Sequence, residues 1–131
     1  MVEWFQMGGF WMYPLVFLAF LLLPFGFVLV VLAAVTPPGV RRWVGWLAIL
    51  GLAGAALPAF VGLAGFLAGV ANVNAALAMV DPAVVDELRR VGMEEARIPL
   101  SFGLGVAGLV AADMAVALAL AWRPATRAPS S

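Results

Sequence analysis

Three stretches of this chain are free or nearly free of charge, and their lengths constrain the fold more than any other feature. Residues 4–40 carry no charged side chain, residues 43–80 carry none, and residues 98–122 carry one, Asp113. A helix of about 20 apolar residues crosses roughly 30 Å of hydrocarbon. Inside lipid the backbone must satisfy itself, which a helix does within one segment. The expectation is an all-α integral membrane protein with three transmembrane helices, over about 12–35, 43–70 and 98–122. The second run is 38 residues long, about 57 Å if helical. It reads as one long helix kinked near Pro58 whose last turns leave the bilayer, with two shorter spans as the alternative.

Composition closes off other classes. Apolar residues make up 66% of the 131 and charged residues 11%, against about 25% charged in soluble domains. Mean hydropathy is +1.12. A soluble enzyme and a nucleic-acid binder are therefore not expected. The chain has no His and no Cys, so zinc, haem and iron–sulfur sites are not expected, nor is any cofactor. No nucleophile–base pair is present, so no enzyme activity is expected.

Arginine placement sets an expected orientation, because loops rich in Lys and Arg stay cytoplasmic. Arg41 and Arg42 lie between the first two spans, and Arg123 and Arg127 follow the third. Segment 81–97 holds five acids against three arginines, and the N-terminus holds only Glu3. Three spans, N-out and C-in, agree with all four places. Trp4, Trp11 and Tyr13 would mark the outer interface, and Trp43, Trp46 and Trp122 the inner one. Residues 1–123 form one transmembrane domain. The Pro/Ala/Ser/Thr-rich tail 124–131 is expected to be disordered. Asp81 can cap the last helix, with Pro82 at its first position.

The last helix carries the polar information. With Val84 at zero and about 100° per residue, Leu88, Val91, Ile98 and Phe102 form an apolar stripe. Asp86, Arg89, Arg90, Glu94 and Arg97 form a polar face, with pairs expected at Asp86–Arg90, Arg90–Glu94 and Glu94–Arg97. Glu95 and Asp113 both fall at about 20°, within the apolar stripe and about 27 Å apart. Two carboxylates on one face, one near each membrane boundary, suit a proton relay, since intramembrane acids face a bundle interior or a water path. The plainer reading puts Glu95 at the headgroups or beside an arginine, and Asp113 at the inner interface. Asn72 and Asn74 would cap or cross-link the end of the second span.

Glycines line the expected interior. Gly62, Gly65 and Gly69 fall on one side of span two, and Gly103, Gly105 and Gly108 thin span three. Small residues let helices approach closely in lipid. Three spans enclose no pore, so a homo-oligomer with spans two and three inside is expected.

The chain resembles the MotA/TolQ/ExbB family of proton-channel subunits in three pieces, in the family's order. Phe5-Gln6-Met7-Gly8-Gly9-Phe10-Trp11-Met12-Tyr13-Pro14-Leu15 is similar to the family's opening before its first span. Gly62-Leu63-Ala64-Gly65-Phe66-Leu67-Ala68-Gly69-Val70 resembles its second-span glycine motif. Gly92-Met93-Glu94-Glu95-Ala96-Arg97-Ile98-Pro99-Leu100-Ser101-Phe102-Gly103-Leu104 resembles its third-span motif, with the family's glutamate at Glu95. The resemblance implies a pentameric ring in the bacterial inner membrane. It also implies a single-span partner of ExbD/TolR or MotB type and work driven by proton flow. Two departures stand out. The family's large cytoplasmic insertion between spans one and two is replaced by a short turn at Thr36–Val40. The family's two pathway threonines match Phe66 and Leu100, with Ser101 one place away. The proton pathway is thus expected at Glu95, Asp113 and Ser101, and helix packing at Gly62, Gly65, Gly69 and Gly103. The alternative function is a non-conducting structural or accessory membrane protein.

Overall fold

The computed structural model describes residues 9–124, and every regular element among them is helical. A 3-10 turn, Gly9–Trp11, leads into α1, Met12–Val35. Helix α2 spans Pro38–Gly54 and α3 spans Ala56–Leu77. A second 3-10 turn, Pro82–Val84, opens α4, Val85–Ala121. The expected tail, apart from Pro124, and the first four residues of the family-like opening lie outside the described residues.

α1 coincides with the first expected span. Its end is set by Thr36-Pro37-Pro38: the Thr36 hydroxyl donates to the Leu32 carbonyl at 2.6 Å, and Pro37 stands at the cap of α2 with Pro38 as its first residue. α2 and α3 form one rod interrupted at Ala55, three residues before the proline expected to kink it. Pro58 has no N–H to give the Gly54 carbonyl, its i−4 acceptor, so the ladder fails one turn earlier than the ring itself. Ala55 instead donates to Gly51 and Leu52 carbonyls at 2.9 and 3.2 Å.

The two halves of this rod run on in the same direction along α4. Gly45 lies beside Ala121 and Trp122, Gly51 beside Met114, Gly62 beside Gly103, Gly69 beside Ala96, and Gly92 of α4 beside Val73. Each step forward on the rod meets a step back on α4. This continuous antiparallel register rules out the four-span alternative, which needs a reversal near Ala55. Three helices, Gly9–Val35, Pro38–Leu77 and Pro82–Ala121, are long and apolar enough to cross a membrane.

α1 runs parallel to α4. Trp11 and Pro99 both pack on Gly65, Gly26 packs on Asp113 and Met114, and Arg123 donates to the Ala34 carbonyl. The main core sits toward the arginine end, where Leu22, Leu29, Val44, Ala48, Val110, Met114 and Ala117 are buried together.

The face that α4 buries is not the stripe of large apolar residues. Ala96, Pro99, Gly103, Val106, Val110, Met114, Ala117 and Ala121 are buried, and they centre roughly 85° round the helix from Val84. Val84, Leu88 and Val91 are 46%, 44% and 39% exposed. Within the expected span Leu104, Leu109 and Val116 are exposed too. Helix–helix faces there select small residues that bring backbones together, and large apolar side chains are left outside.

Candidate functional site

Glu95 is exposed on α4, not buried within an apolar stripe. It lines an open cleft of about 310 Å³ with Gly9, Phe10, Trp11, Gly69 and Asn72. Three close approaches border the cleft. Gly65 admits Trp11 and Pro99, each 2.9 Å from where a Cβ would stand. Gly69 admits Ala96 at 2.8 Å and Gly92 admits Val73 at 2.6 Å on the same measure. Asn72 therefore does not end the second helix. It lies one turn inside α3 and shares the cleft with Glu95, a pairing that the sequence alone did not bring out.

Asp113 lies half-buried on the same flank of α4, against the first helix. A Cβ at Gly26 would stand 2.9 Å from Asp113 Cβ and 3.1 Å from Asp113 Oδ2. Gly26 is what lets α1 close over this carboxylate. Among the described residues no donor or cation pairs with Asp113. Phe102 and Val106 occupy the same flank between the two carboxylates, with Val106 buried and Phe102 packed against the core.

Ser101 joins neither acid. It is exposed, about 120° round the helix from Glu95 at 100° per residue. Gly62 and Gly103 meet backbone to backbone: a Cβ on Gly103 would lie 3.0 Å from Gly62 Cα and nearer still to the Pro58 carbonyl oxygen. All four glycines expected at helix contacts thus lie at contacts within one chain. Gly105 and Gly108 have nothing within 4 Å.

The polar turns of α4 pair differently from the expected pattern. Arg90 Nη2 donates to Glu87 Oε1 at 2.7 Å, and Arg90 Nη1 lies 3.7 Å from Glu94 Oε1. The hydrogen bond that Arg90 donates to the Glu87 carboxylate, helped by the charge of Glu94, raises the pKa of the Arg90 guanidinium above its ordinary value. Glu87 takes the place expected for Asp86, and no ion pair joins Glu94 to Arg97 among the described residues. Asp81 Oδ1 accepts from the Ala83 N–H at 3.0 Å, as a cap for the second 3-10 turn. Among the described residues no group of three Asp or Glu side chains could hold a metal ion.

Comparison with protein families, with curated proteins and with solved structures returns no match to this chain. The site must therefore be interpreted from its own geometry.

Proposed function

We propose that this chain is a membrane subunit of MotA/TolQ/ExbB type: a homo-oligomer, N-out and C-in, in a bacterial inner membrane. It would couple proton flow to work through a single-span partner. The observation that carries this reading is a second small-residue face on α4. Ser101, Gly105, Gly108, Ala112, Ala115 and Ala119 are all exposed and recur at alternating steps of four and three. They cover about 27 Å of helix, close to the roughly 30 Å hydrocarbon thickness. Leu104, Leu109 and Val116 stand exposed on either side. α4 is thus built for close approach on two sides, one covered by α2 and α3 and the other open. In lipid such a face favours another helix, either from a second copy or from the partner.

The membrane reading also ranks the two carboxylates by depth. With Trp122 at one interface, Asp113 lies nine residues away, about 14 Å, near the midplane. Glu95 lies 27 residues away, about 40 Å, at the level of the opposite headgroups. Asp113 is then the intramembrane acid and Glu95 the acid at the mouth. Because Phe102 and Val106 lie between them, proton passage needs polar groups from a neighbouring copy or the partner.

The test is proton flux into liposomes holding the oligomer together with the single-span protein that co-purifies with it. Glu95→Gln and Asp113→Asn should each abolish flux and leave the oligomer intact, while Glu94→Gln should change little. Wild-type flux in both of the first two variants would refute the relay. A second reading, a non-conducting accessory subunit, is favoured by the apolar Phe66 and Leu100 and by the filled flank between the acids. It predicts no flux from the intact wild-type oligomer.

A further inference from the structure

Three arginines gather at the other end of the bundle with no acid to balance them. Arg41, in the first turns of α2, is 8% exposed, and its Nε is buried without a partner. Its Nη2 donates to the Arg123 carbonyl at 3.4 Å. Arg123 in turn donates from Nη2 to the Ala34 carbonyl at 3.3 Å. Both acceptors are neutral carbonyls near helix C-termini. They orient the guanidinium groups and leave the net charge in place. Arg42, beside Arg41, lines a hollow of about 470 Å³ with Trp43 and Trp46. Among the described residues no carboxylate pairs with Arg41, Arg42 or Arg123.

The start of α2 adds to this positive field. No side chain caps it, because the Thr36 hydroxyl is turned back to Leu32. The first N–H groups of a helix and its dipole favour an anion. Arg41 and Arg42 directly follow Gly39 and Val40, whose N–H groups are the first in this helix; cations there are ordinarily disfavoured, and an anion offsets both effects. A buried guanidinium left without a counter-ion is costly.

From this arrangement we infer that Arg42, in the positive field of Arg41, Arg123 and the first turn of α2, holds the phosphate of an acidic phospholipid. Three features select a lipid over a free anion. Trp43, Trp46 and Trp122 are exposed around the arginines, which is the pattern of side chains at headgroup depth. The hollow is walled by indoles, which fit the glycerol and upper acyl region. The hollow also adjoins the helix ends that Arg41 and Arg123 tie together, and basic sites at such ends hold headgroups in membrane proteins. A zwitterionic lipid carries its own counter-ion and offers less. The inference rests on insertion in a membrane and is independent of proton conduction.

The experiment is native mass spectrometry of the purified protein in neutral detergent, titrated with dioleoyl phosphatidylglycerol or dioleoyl phosphatidylcholine. The wild type should retain phosphatidylglycerol in preference to phosphatidylcholine. Arg42→Gln should lower that retention about fivefold, the effect of one arginine near a headgroup. Arg41→Gln, which removes only a neighbouring charge, should lower it less, and Arg89→Gln at the opposite end should not lower it. Arg42 is exposed, so its variant decides the matter if Arg41→Gln fails to fold. Equal retention of the two lipids, or unchanged retention in the Arg42 variant, overturns the site. Displacement of the lipid by millimolar inorganic phosphate assigns the pocket to free phosphate and overturns the lipid.

Discussion

Replacing Gly103 by alanine tests the central packing argument, because it adds one carbon where two backbones meet. The new Cβ would stand 3.0 Å from Gly62 Cα and 3.3 Å from Gly62 N, with the Pro58 carbonyl oxygen closer. Carbon pairs prefer about 3.5–4.0 Å, so α3 and α4 must separate by roughly 0.5–1 Å. None of the three obstructing atoms can swing aside, since all belong to backbone. The separation also loosens Pro99 on Gly65 and Ala96 on Gly69, about one and two turns away. A gap of that size forfeits a quarter to a half of each contact, and overpacking of this kind costs about 1–3 kcal/mol. The better helix propensity of alanine offsets up to about 1 kcal/mol. The matched control is Gly105→Ala, where nothing within the protomer lies within 4 Å, so that in the dissociated protomer only the propensity term acts. The two variants should therefore differ by about 1–3 kcal/mol, with Gly103→Ala the less stable. Equilibrium unfolding in mixed micelles, followed by tryptophan fluorescence, measures the difference. Equal stabilities, within about 0.5 kcal/mol, would refute a backbone-to-backbone seam at this position.

Two further outcomes follow from the same geometry. Gly108→Leu places a large side chain on the open small-residue face and should dissociate the oligomer while leaving protomer unfolding unchanged, as read by sedimentation in density-matched detergent. An intact oligomer would show that this face meets lipid. Asp81→Ala removes the acceptor for the Ala83 N–H and should cost about 1 kcal/mol, with faster amide exchange confined to residues 83–86. Exchange unchanged there would show that Pro82 alone sets the start of α4.

Much of the architecture was legible in the chain because charge is so expensive in hydrocarbon. Runs of 37, 38 and 25 residues with at most one charge leave three helices as the simplest spanning solution, and the turn at Thr36–Val40 and the cap at Asp81 need only local chemistry. The grouping of Arg41 with Arg123 at one end also follows from counting spans. What the sequence could not decide was which face of each helix turns inward. In water the large apolar stripe of Val84, Leu88 and Val91 would mark the core. Here that stripe is left outside, and the interior belongs to Ala96, Pro99 and Gly103, picked out by close backbone approach rather than by hydropathy. That rotation, roughly 85° about α4, moves Glu95 from the centre of a buried face to the edge of a cleft beside Asn72. It also brings Asp113 against Gly26, whereas the roughly 120° between Ser101 and both acids follows from helix geometry alone. The recurrence of Ser101, Gly105, Gly108, Ala112, Ala115 and Ala119 could have been read from the sequence. Only the packed bundle distinguishes it from the other small-residue face, because just one of the two can be covered by the chain's own helices.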